Sequence, residues 1–256
     1  MMVEIGEKRD DVYGAFPVLG GSPHTPEQQR YLEATISRAL PNVRKVFERT
    51  GVCIPSDDQI LEAMIMTDRF RPEQVEALMR AVRLPGLIVL PPEMQSFDDY
   101  VKFLNVNKHR RAQCDVSVSD GRKAAFAAQD TILKCQNEAP NYRFGIGEMV
   151  PEPQNRQGQL FDIISQWGNS GAARVLRSVT PREYAVLLAQ SDSVIDSSGF
   201  TILSEENPPH KIIGNDGLVS CVDGNFDWQG DFRVDFREEA LNLSHLTARI
   251  RPAIVA

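Results

Sequence analysis

Long apolar runs are missing from this sequence, and their absence bears on where the protein works. No stretch approaches the roughly 20 consecutive apolar residues of a membrane-spanning helix. The first residues, MMVEIGEKRDD, lack the apolar segment that a secretory signal peptide needs. We therefore expect a cytoplasmic, soluble protein that has no membrane-inserted part.

Motifs for metal ions, redox chemistry and cofactors are missing as well. The four cysteines form no C-x-x-C pair, which argues against a zinc ribbon or a redox pair. The four histidines are scattered, with no H-E-x-x-H and no pair at helical spacing. The sequence therefore predicts no cofactor, and it identifies no catalytic residue.

Positive charge is in short supply. Lys and Arg number 28 against 35 Asp and Glu, so the formal net charge is -7. Binding to nucleic acids and to anionic membranes depends on accumulated Lys and Arg, so this balance argues against both. The 42% hydrophobic and 25% charged residues are typical of a globular protein, and 256 residues can bury a full core.

Helix-start signals recur along the chain. Thr25-Pro26-Glu27-Gln28 combines an N-cap hydroxyl, a proline at the first helical position and a glutamine three residues after the cap. The pattern predicts a helix that ends at Gly51 and that Pro41 breaks or kinks. Ser56, Ser96 and Thr180 open further helices in the same way, and a helix is also expected over 171–177.

Short apolar or alternating runs between these helices predict strands at 87–90, 114–118 and 142–146. The later strands crowd into 193–236, while 238–248 fits neither the helical nor the strand period. We therefore predict an α+β protein with a helix-rich N-terminal region containing short strands, and C-terminal helices followed by a small antiparallel meander.

Breaker residues suggest the domain organisation. Glycines and prolines are too dense in residues 1–24 for regular structure, so we expect an extended N-terminal arm there. The polar, proline-rich segment 151–158 is the best candidate boundary. The predicted organisation is the arm, a mixed and mainly helical domain at 25–150, and an α+β domain with an antiparallel sheet at 159–256.

The segment 217–236 has the clearest local pattern. Apolar and charged residues alternate in it, which predicts a hairpin with one buried face. A two-residue loop would mix apolar and charged side chains on each face, so we predict a three-residue loop at 229–231 that pairs Trp228 with Phe232. In that register Asp227 lies opposite Arg233 and Asp223 opposite Arg237.

The same segment holds the densest carboxylates. Oxygen-bearing side chains alternate at Asp223, Asn225, Asp227 and Asp231, as they do in calcium loops. The sixth and twelfth positions, which a calcium loop of the EF-hand kind fills with glycine and glutamate, are Trp228 and Val234 here. We therefore expect a charged strand face rather than a metal site, with these four residues as weak metal candidates.

A basic tetrad and two glycine pairs complete the candidates. Lys108, His109, Arg110 and Arg111 follow a predicted helix and are weak candidates for binding an anion or a partner. Gly145-Ile-Gly147 lacks the third glycine of a dinucleotide loop, and Gly168-Asn-Ser170-Gly171 lacks the spacing of a nucleophile elbow. The glycine pairs predict a strand and a turn.

Taken with the missing motifs, the arm favours a non-enzymatic protein-interaction or structural protein. Such a protein would bind a protein partner, or itself, through residues 1–24. The first alternative is a metal-dependent hydrolase that uses the carboxylates of 216–239. The second is a nucleic-acid-binding protein that uses Lys108 to Arg111.

Overall fold

A computed structural model describes most of the chain. The described residues are 24–65, 70–107, 114–136, 142–149, 156–190, 196–205, 211–214, 216–226, 232–242 and 246–255. Residues 1–23, and with them almost all of the predicted arm, lie outside this set, as do the hairpin tip at 227–231 and residues 151–155 of the predicted boundary.

Seven α-helices occur within the described residues. They are α1 (Pro26–Thr50), α2 (Asp57–Ile65), α3 (Pro72–Ala81), α4 (Phe97–Asn107), α5 (Asp120–Gln136), α6 (Leu160–Gly168) and α7 (Pro181–Ala189). None of these described helices combines the length and the apolar character needed to cross a membrane.

Ten strands within the described part of the chain form two sheets. They are β1 (Pro85–Leu90), β2 (Cys114–Val118), β3 (Arg143–Glu148), β4 (Arg156–Gly158), β5 (Arg177–Ser178), β6 (Asp196–Ile202), β7 (Leu218–Phe226), β8 (Phe232–Ala240), β9 (Leu246–Ile250) and β10 (Pro252–Val255). Sheet 1 has the order β1-β3-β10-β5, and sheet 2 has the order β2-β8-β7-β6-β9-β4. Helices and two sheets in one chain confirm the α+β class.

The predicted start and end of α1 are confirmed. The Thr25 hydroxyl accepts from the Gln28 N–H at 3.2 Å, and the Gln28 side chain accepts from the Thr25 N–H at 2.9 Å. Gly51 ends the helix with a φ of 72°, which glycine adopts without strain. Helix α1 continues through Pro41, so the predicted break is wrong, while the alternative of a kink stays a prediction. Pro41 and Ser37 are both exposed, so water can bond the carbonyl that loses its partner.

Three further strands are predicted correctly, and one helix is not. The predicted strands at 87–90, 114–118 and 142–146 correspond to β1, β2 and β3. The helix predicted over 171–177 is wrong. A single 3-10 turn at Ala172–Arg174 is followed by β5, because this segment has to reach β10 and pair with it.

The β7–β8 hairpin keeps the predicted faces in a different register. Phe226 pairs with Phe232 and Asn225 with Arg233, so the three-residue loop and the pairing of Trp228 with Phe232 are wrong. The observed register differs by two residues. A shift of two leaves every side chain on its own face, so the apolar pattern cannot tell the two registers apart.

Strands β6, β7 and β8 are antiparallel neighbours, which confirms the C-terminal meander. Two parallel pairings extend it, since β2 joins β8 and β9 joins β6. The segment 238–248, which the sequence left open, contains the end of β8 and the start of β9.

The buried apolar residues form two clusters. The larger runs from Leu32 to Ile254 and takes residues from both sides of the predicted boundary. The smaller surrounds Leu160 and Ile163 of α6 and contacts β6, β7 and β9. Sheet 2 therefore buries one face in each cluster. The division of the chain into separate domains stays a prediction.

Helix α7 lies wholly inside the protein, because all nine of its residues are buried. Leu187 approaches Gly86 and Gly147 of sheet 1. The Tyr184 ring meets Phe236 of sheet 2 edge-on, with centroids 6.1 Å apart. The helix thus has sheet 1 on one side and a strand of sheet 2 on another.

Two charged residues of α7 are buried with it, and each has an opposite charge beside it. Glu183 forms a two-point ion pair with Arg177 of β5, with one N···O distance of 2.6 Å. Arg182 contacts the Asp130 carboxylate of α5. Unpaired charges this deep would cost several kcal/mol each, so α7 can be buried only with these partners in place.

Glycine at 145 should be required by the packing of sheet 1. A Cβ there would come 2.4 Å from the Ile254 carbonyl oxygen, which is a backbone atom in the adjacent strand β10. We expect Gly145→Ala to lower the free energy of unfolding by about 1–3 kcal/mol in urea denaturation. Gly168→Ala is the matched control, because nothing lies within 4 Å of its added Cβ. Equal losses in the two variants would contradict this packing.

The ion pair of Glu183 should make the free energy of unfolding fall as the pH is lowered into the acid range. Burial alone would raise the pKa of Glu183, but the Arg177 guanidinium and the Thr180 N–H outweigh it and hold that pKa below its usual value. The ionised Glu183 therefore contributes its full share to the free energy of unfolding above its pKa in the unfolded chain, which is about 4.3. This contribution is lost as the pH falls through the pKa of Glu183 in the folded protein.

Glu183→Gln tests this. We expect it to lower the free energy of unfolding by about 3 kcal/mol near neutral pH and to flatten the decline in acid, measured by urea unfolding across pH. Glu76→Gln, which breaks an exposed pair with Arg80 of α3, is the control and should cost less than about 0.5 kcal/mol near neutral pH. An unchanged profile in Glu183→Gln would count against the pair.

Candidate functional site

The carboxylates of β7 and β8 converge on an arginine. The Arg237 guanidinium lies 3.2 Å from the Asp223 carboxylate, 3.1 Å from that of Glu239 and 3.8 Å from that of Asp235. It also stacks 4.1 Å above the centre of the Phe200 ring. The predicted contact between Asp223 and Arg237 is present, but it is diagonal, because Asp223 pairs directly with Asp235.

In this arrangement the Arg237 guanidinium takes the central position among the carboxylates that a bound metal ion would need. Asn225 lies on β7 opposite Arg233, while Asp227 and Asp231 fall outside the described residues. Among the residues that are described, no three His, Cys, Asp or Glu side chains are grouped so that they could hold a metal ion. The described acids thus make a charged strand face that Arg237 organises.

The basic tetrad Lys108 to Arg111 also falls outside the described residues, since α4 ends at Asn107. Its role in binding an anion or a partner stays a prediction. His24 is described, and its Nε2 lies 2.5 Å from the Phe70 carbonyl oxygen, where it ties the start of α1 to the segment before α3.

The two glycine motifs occupy the structures that the sequence predicts for them. Gly145 and Gly147 both lie in β3. Ser170 lies in the turn after α6, and its hydroxyl oxygen accepts from the Ala173 N–H at 3.3 Å. The Ser170 oxygen therefore starts the 3-10 turn at Ala172–Arg174.

A second polar cluster lies at the start of α5. The Arg122 guanidinium is 3.0 Å from the Glu205 carboxylate and 3.8 Å from the Glu238 carboxylate, and it stacks on Phe126. Glu238 also lies against the backbone of Gly121, where the positive end of the α5 dipole favours a carboxylate. These contacts join α5 to β8, which is a structural role.

Helix α6 carries the features that remain. Leu160 and Ile163 are buried in the smaller cluster, and they fix the helix on sheet 2. Phe161 is 56% exposed, the largest value among the large apolar side chains of the described residues. Ile164 and Trp167 are half-buried. Phe161, Ile164 and Trp167 are spaced by three, so each lies beside the next along the helix. We call these three residues the α6 surface.

A cavity opens beside Trp167. Its volume is about 170 Å³, and its lining residues are Ile163, Gln166, Trp167, Ser170, Ala172, Arg249 and Ile250. Within the described residues the β4–β9 ladder ends at the pair of Arg156 with Ala248, and the cavity borders the next two residues of β9. The end of α6 and the following turn form its other wall.

Arg249 is the charged residue among the described ones that line the cavity. The residue is only 2% exposed and lies opposite Thr201 of β6 in the sheet. Its Nε and Nη2 atoms are closed off from solvent, so these two nitrogens do not open into the cavity. The other described lining residues are mostly apolar, and the cavity is therefore a small, mostly apolar space.

The chain was compared with protein-family models, with curated proteins and with solved structures, and none of them matches it. The site therefore has to be interpreted from its own geometry.

Sequence reasoning missed this cavity for a physical reason. Trp167 fits the apolar face of a helix, and Arg249 looks like an ordinary solvated residue in a short strand. Their sequence separation hides the fact that both residues line one cavity, because the cavity exists only once α6 packs on β9. A bulky aromatic at the end of α6 was the only signal, and core packing explains such a residue equally well.

The Arg237 cluster should be a stabilising ion network. We expect Arg237→Gln to lower the free energy of unfolding by about 1–2 kcal/mol in urea denaturation, because three carboxylates then repel one another. Arg80→Gln removes an exposed helical pair with Glu76 and should cost less than about 0.5 kcal/mol.

Calcium provides the contrasting outcome. If Asp223 and its neighbours formed a metal site, millimolar Ca²⁺ would raise the melting temperature of the wild type. We expect no shift, because the Arg237 guanidinium already occupies the centre of the cluster.

Proposed function

We propose that this protein acts by binding another protein rather than by catalysis, and that the α6 surface is where the partner docks. The observation that supports this most directly is Phe161, whose side chain is 56% exposed although aromatic rings gain from burial. Covering such a ring contributes about 1–2 kcal/mol to association, since full burial is worth about 1.5–3 kcal/mol.

The composition of the surface supports the same proposal. Trp, Tyr and Arg dominate the binding energy of protein interfaces, usually around a pocket near the centre of the contact. Here Trp167 borders a cavity, and Phe161 and Ile164 extend the apolar area along the same helix. The other exposed large apolar side chains among the described residues are Leu84, which directly precedes β1, and Val106 of α4. Neither belongs to α6.

The alternatives draw less support from the described residues. The hydrolase would use the acids of 216–239, and those that are described surround Arg237. The nucleic-acid alternative depends on Lys108 to Arg111, and docking through the arm depends on residues 1–24. These proposals rest on the sequence pattern alone, whereas the α6 surface has a described geometry.

A photo-crosslinking amino acid placed at position 161 tests the proposal. In cells of the native host we expect it to capture one discrete polypeptide, either another protein or a second copy of this chain. The same amino acid at position 106 is the matched control, because Val106 is 52% exposed and Phe161 56%.

The captured partner is then purified and titrated against variants by calorimetry. We expect Phe161→Ser to weaken binding about tenfold and Val106→Ser to leave it unchanged, with both melting temperatures near that of the wild type. Equal capture at the two positions, or an affinity that Phe161→Ser does not alter, would show that α6 is not the docking surface.

A further inference from the structure

We propose that the cavity between α6 and β9 binds a small, uncharged organic molecule, free in solution and built around one compact apolar group such as a single ring. This ligand class goes beyond the protein-binding function proposed above and does not depend on it. Three properties of the cavity carry the inference, namely its place between the two apolar clusters, its size and the direction of the one charged side chain beside it.

The cavity lies where the two apolar clusters of the core meet. Trp167 packs against both clusters, while Ala172 packs against the larger and Ile250 against the smaller. All three residues are half-buried, and all three line the cavity. A molecule placed here would cover apolar surface that the fold itself leaves in contact with water, and such coverage is the main source of binding energy for small apolar ligands.

Size sets the upper limit on the ligand. The cavity measures about 170 Å³, whereas an engineered apolar cavity of about 150 Å³ in another protein binds benzene. The cavity beside Trp167 therefore accommodates one ring or one branched aliphatic group. A nucleotide or a segment of polypeptide is too large to enter.

The direction of the Arg249 side chain determines that the ligand is uncharged. Side chains along a strand alternate between the two faces of a sheet. Ala248 and Ile250, the neighbours of Arg249, pack on the cluster around α6, so the Arg249 side chain lies on the other face of sheet 2. The remaining lining residues in the described chain are uncharged. A charged group in the cavity would therefore lose hydration without gaining a partner of opposite charge.

Two uncharged polar residues, Gln166 and Ser170, determine what else the ligand can carry. Gln166 is exposed and Ser170 is half-buried, so they belong to the mouth of the cavity rather than to its interior. One neutral polar group, such as a hydroxyl, can therefore stay hydrated at the mouth while the apolar part of the ligand enters. We expect a dissociation constant of about 0.1–1 mM, typical for a ligand with so few atoms.

The test uses benzyl alcohol as the probe, with benzoate and benzylammonium as a negative and a positive counterpart of similar shape. Binding is followed through the indole N–H signal of Trp167 in NMR spectra of the full chain. The chain has only 2 tryptophans, so Trp228→Phe assigns the signal. We expect benzyl alcohol to shift the Trp167 signal saturably, and both ions to bind about tenfold or more weakly than it does. No saturable shift with benzyl alcohol, or equally tight binding of either ion, would overturn the proposal.

A variant that fills the cavity gives a second test. Ala172→Leu enlarges a lining side chain and should abolish the shift that benzyl alcohol causes. Gly171→Ala is the matched control, because Gly171 is not one of the described lining residues and nothing lies within 4 Å of its added Cβ. Binding by Ala172→Leu as tight as by the wild type would contradict the site. The comparison of neutral and charged probes needs only wild-type protein, so it decides the matter even if Ala172→Leu does not fold.

Failure here is distinguishable from failure of the protein-binding function. Phe161→Ser removes a ring that does not line the cavity, and it should bind benzyl alcohol as the wild type does. Loss of the benzyl alcohol shift in Phe161→Ser would place the probe on the α6 surface and would overturn the cavity proposal. Loss of partner binding with benzyl alcohol binding intact would leave the cavity proposal standing, and absence of benzyl alcohol binding with partner binding intact would leave the α6 surface standing.

Discussion

The burial of α7 is the constraint on which the rest of the structure depends. A nine-residue helix without a solvent-facing side must find an opposite charge for each charged side chain that it carries inside. Glu183 takes Arg177, which fixes β5, and Arg182 takes Asp130, which fixes α5. Because β5 pairs with β10 and α5 leads on from β2, these two ion pairs connect α7 to both sheets. Apolar side chains therefore make up most of the core, while the two buried ion pairs fix the positions of the elements around α7.

The connection between the sheets has a consequence for the cavity. The chain leaves sheet 2 after Ile250 and enters sheet 1 at Pro252, with Arg251 at the crossing. The Arg251 side chain donates to the Thr201 hydroxyl and to the Glu148 carbonyl, and so holds one strand of each sheet. The cavity lies just before this crossing, beside Arg249 and Ile250 at the end of β9.

What the sequence predicts well is what neighbouring residues decide. The capping boxes at Thr25 and Thr180 involve side chains three residues apart, and both form. The two faces of the β7–β8 hairpin follow from alternation, but its register differs by two residues, because an alternating pattern looks the same after such a shift. The parallel pairing of β2 with β8 and the cavity that Trp167 and Arg249 both line bring distant segments together, and no local pattern encodes them.

The buried arginines indicate how this protein accommodates positive charge. Arg122, Arg182 and Arg251 are each held by oxygen acceptors from other elements, namely Glu205, Asp130 and Thr201. In each case an acceptor from a distant part of the chain compensates for the lost hydration. Arg249 is the fourth buried arginine among the described residues, and it also makes contacts within the protein. A guanidinium can therefore lie inside this core wherever the fold brings an acceptor from another segment to it, which is why the positions of these arginines depend on the tertiary structure and not on the local sequence.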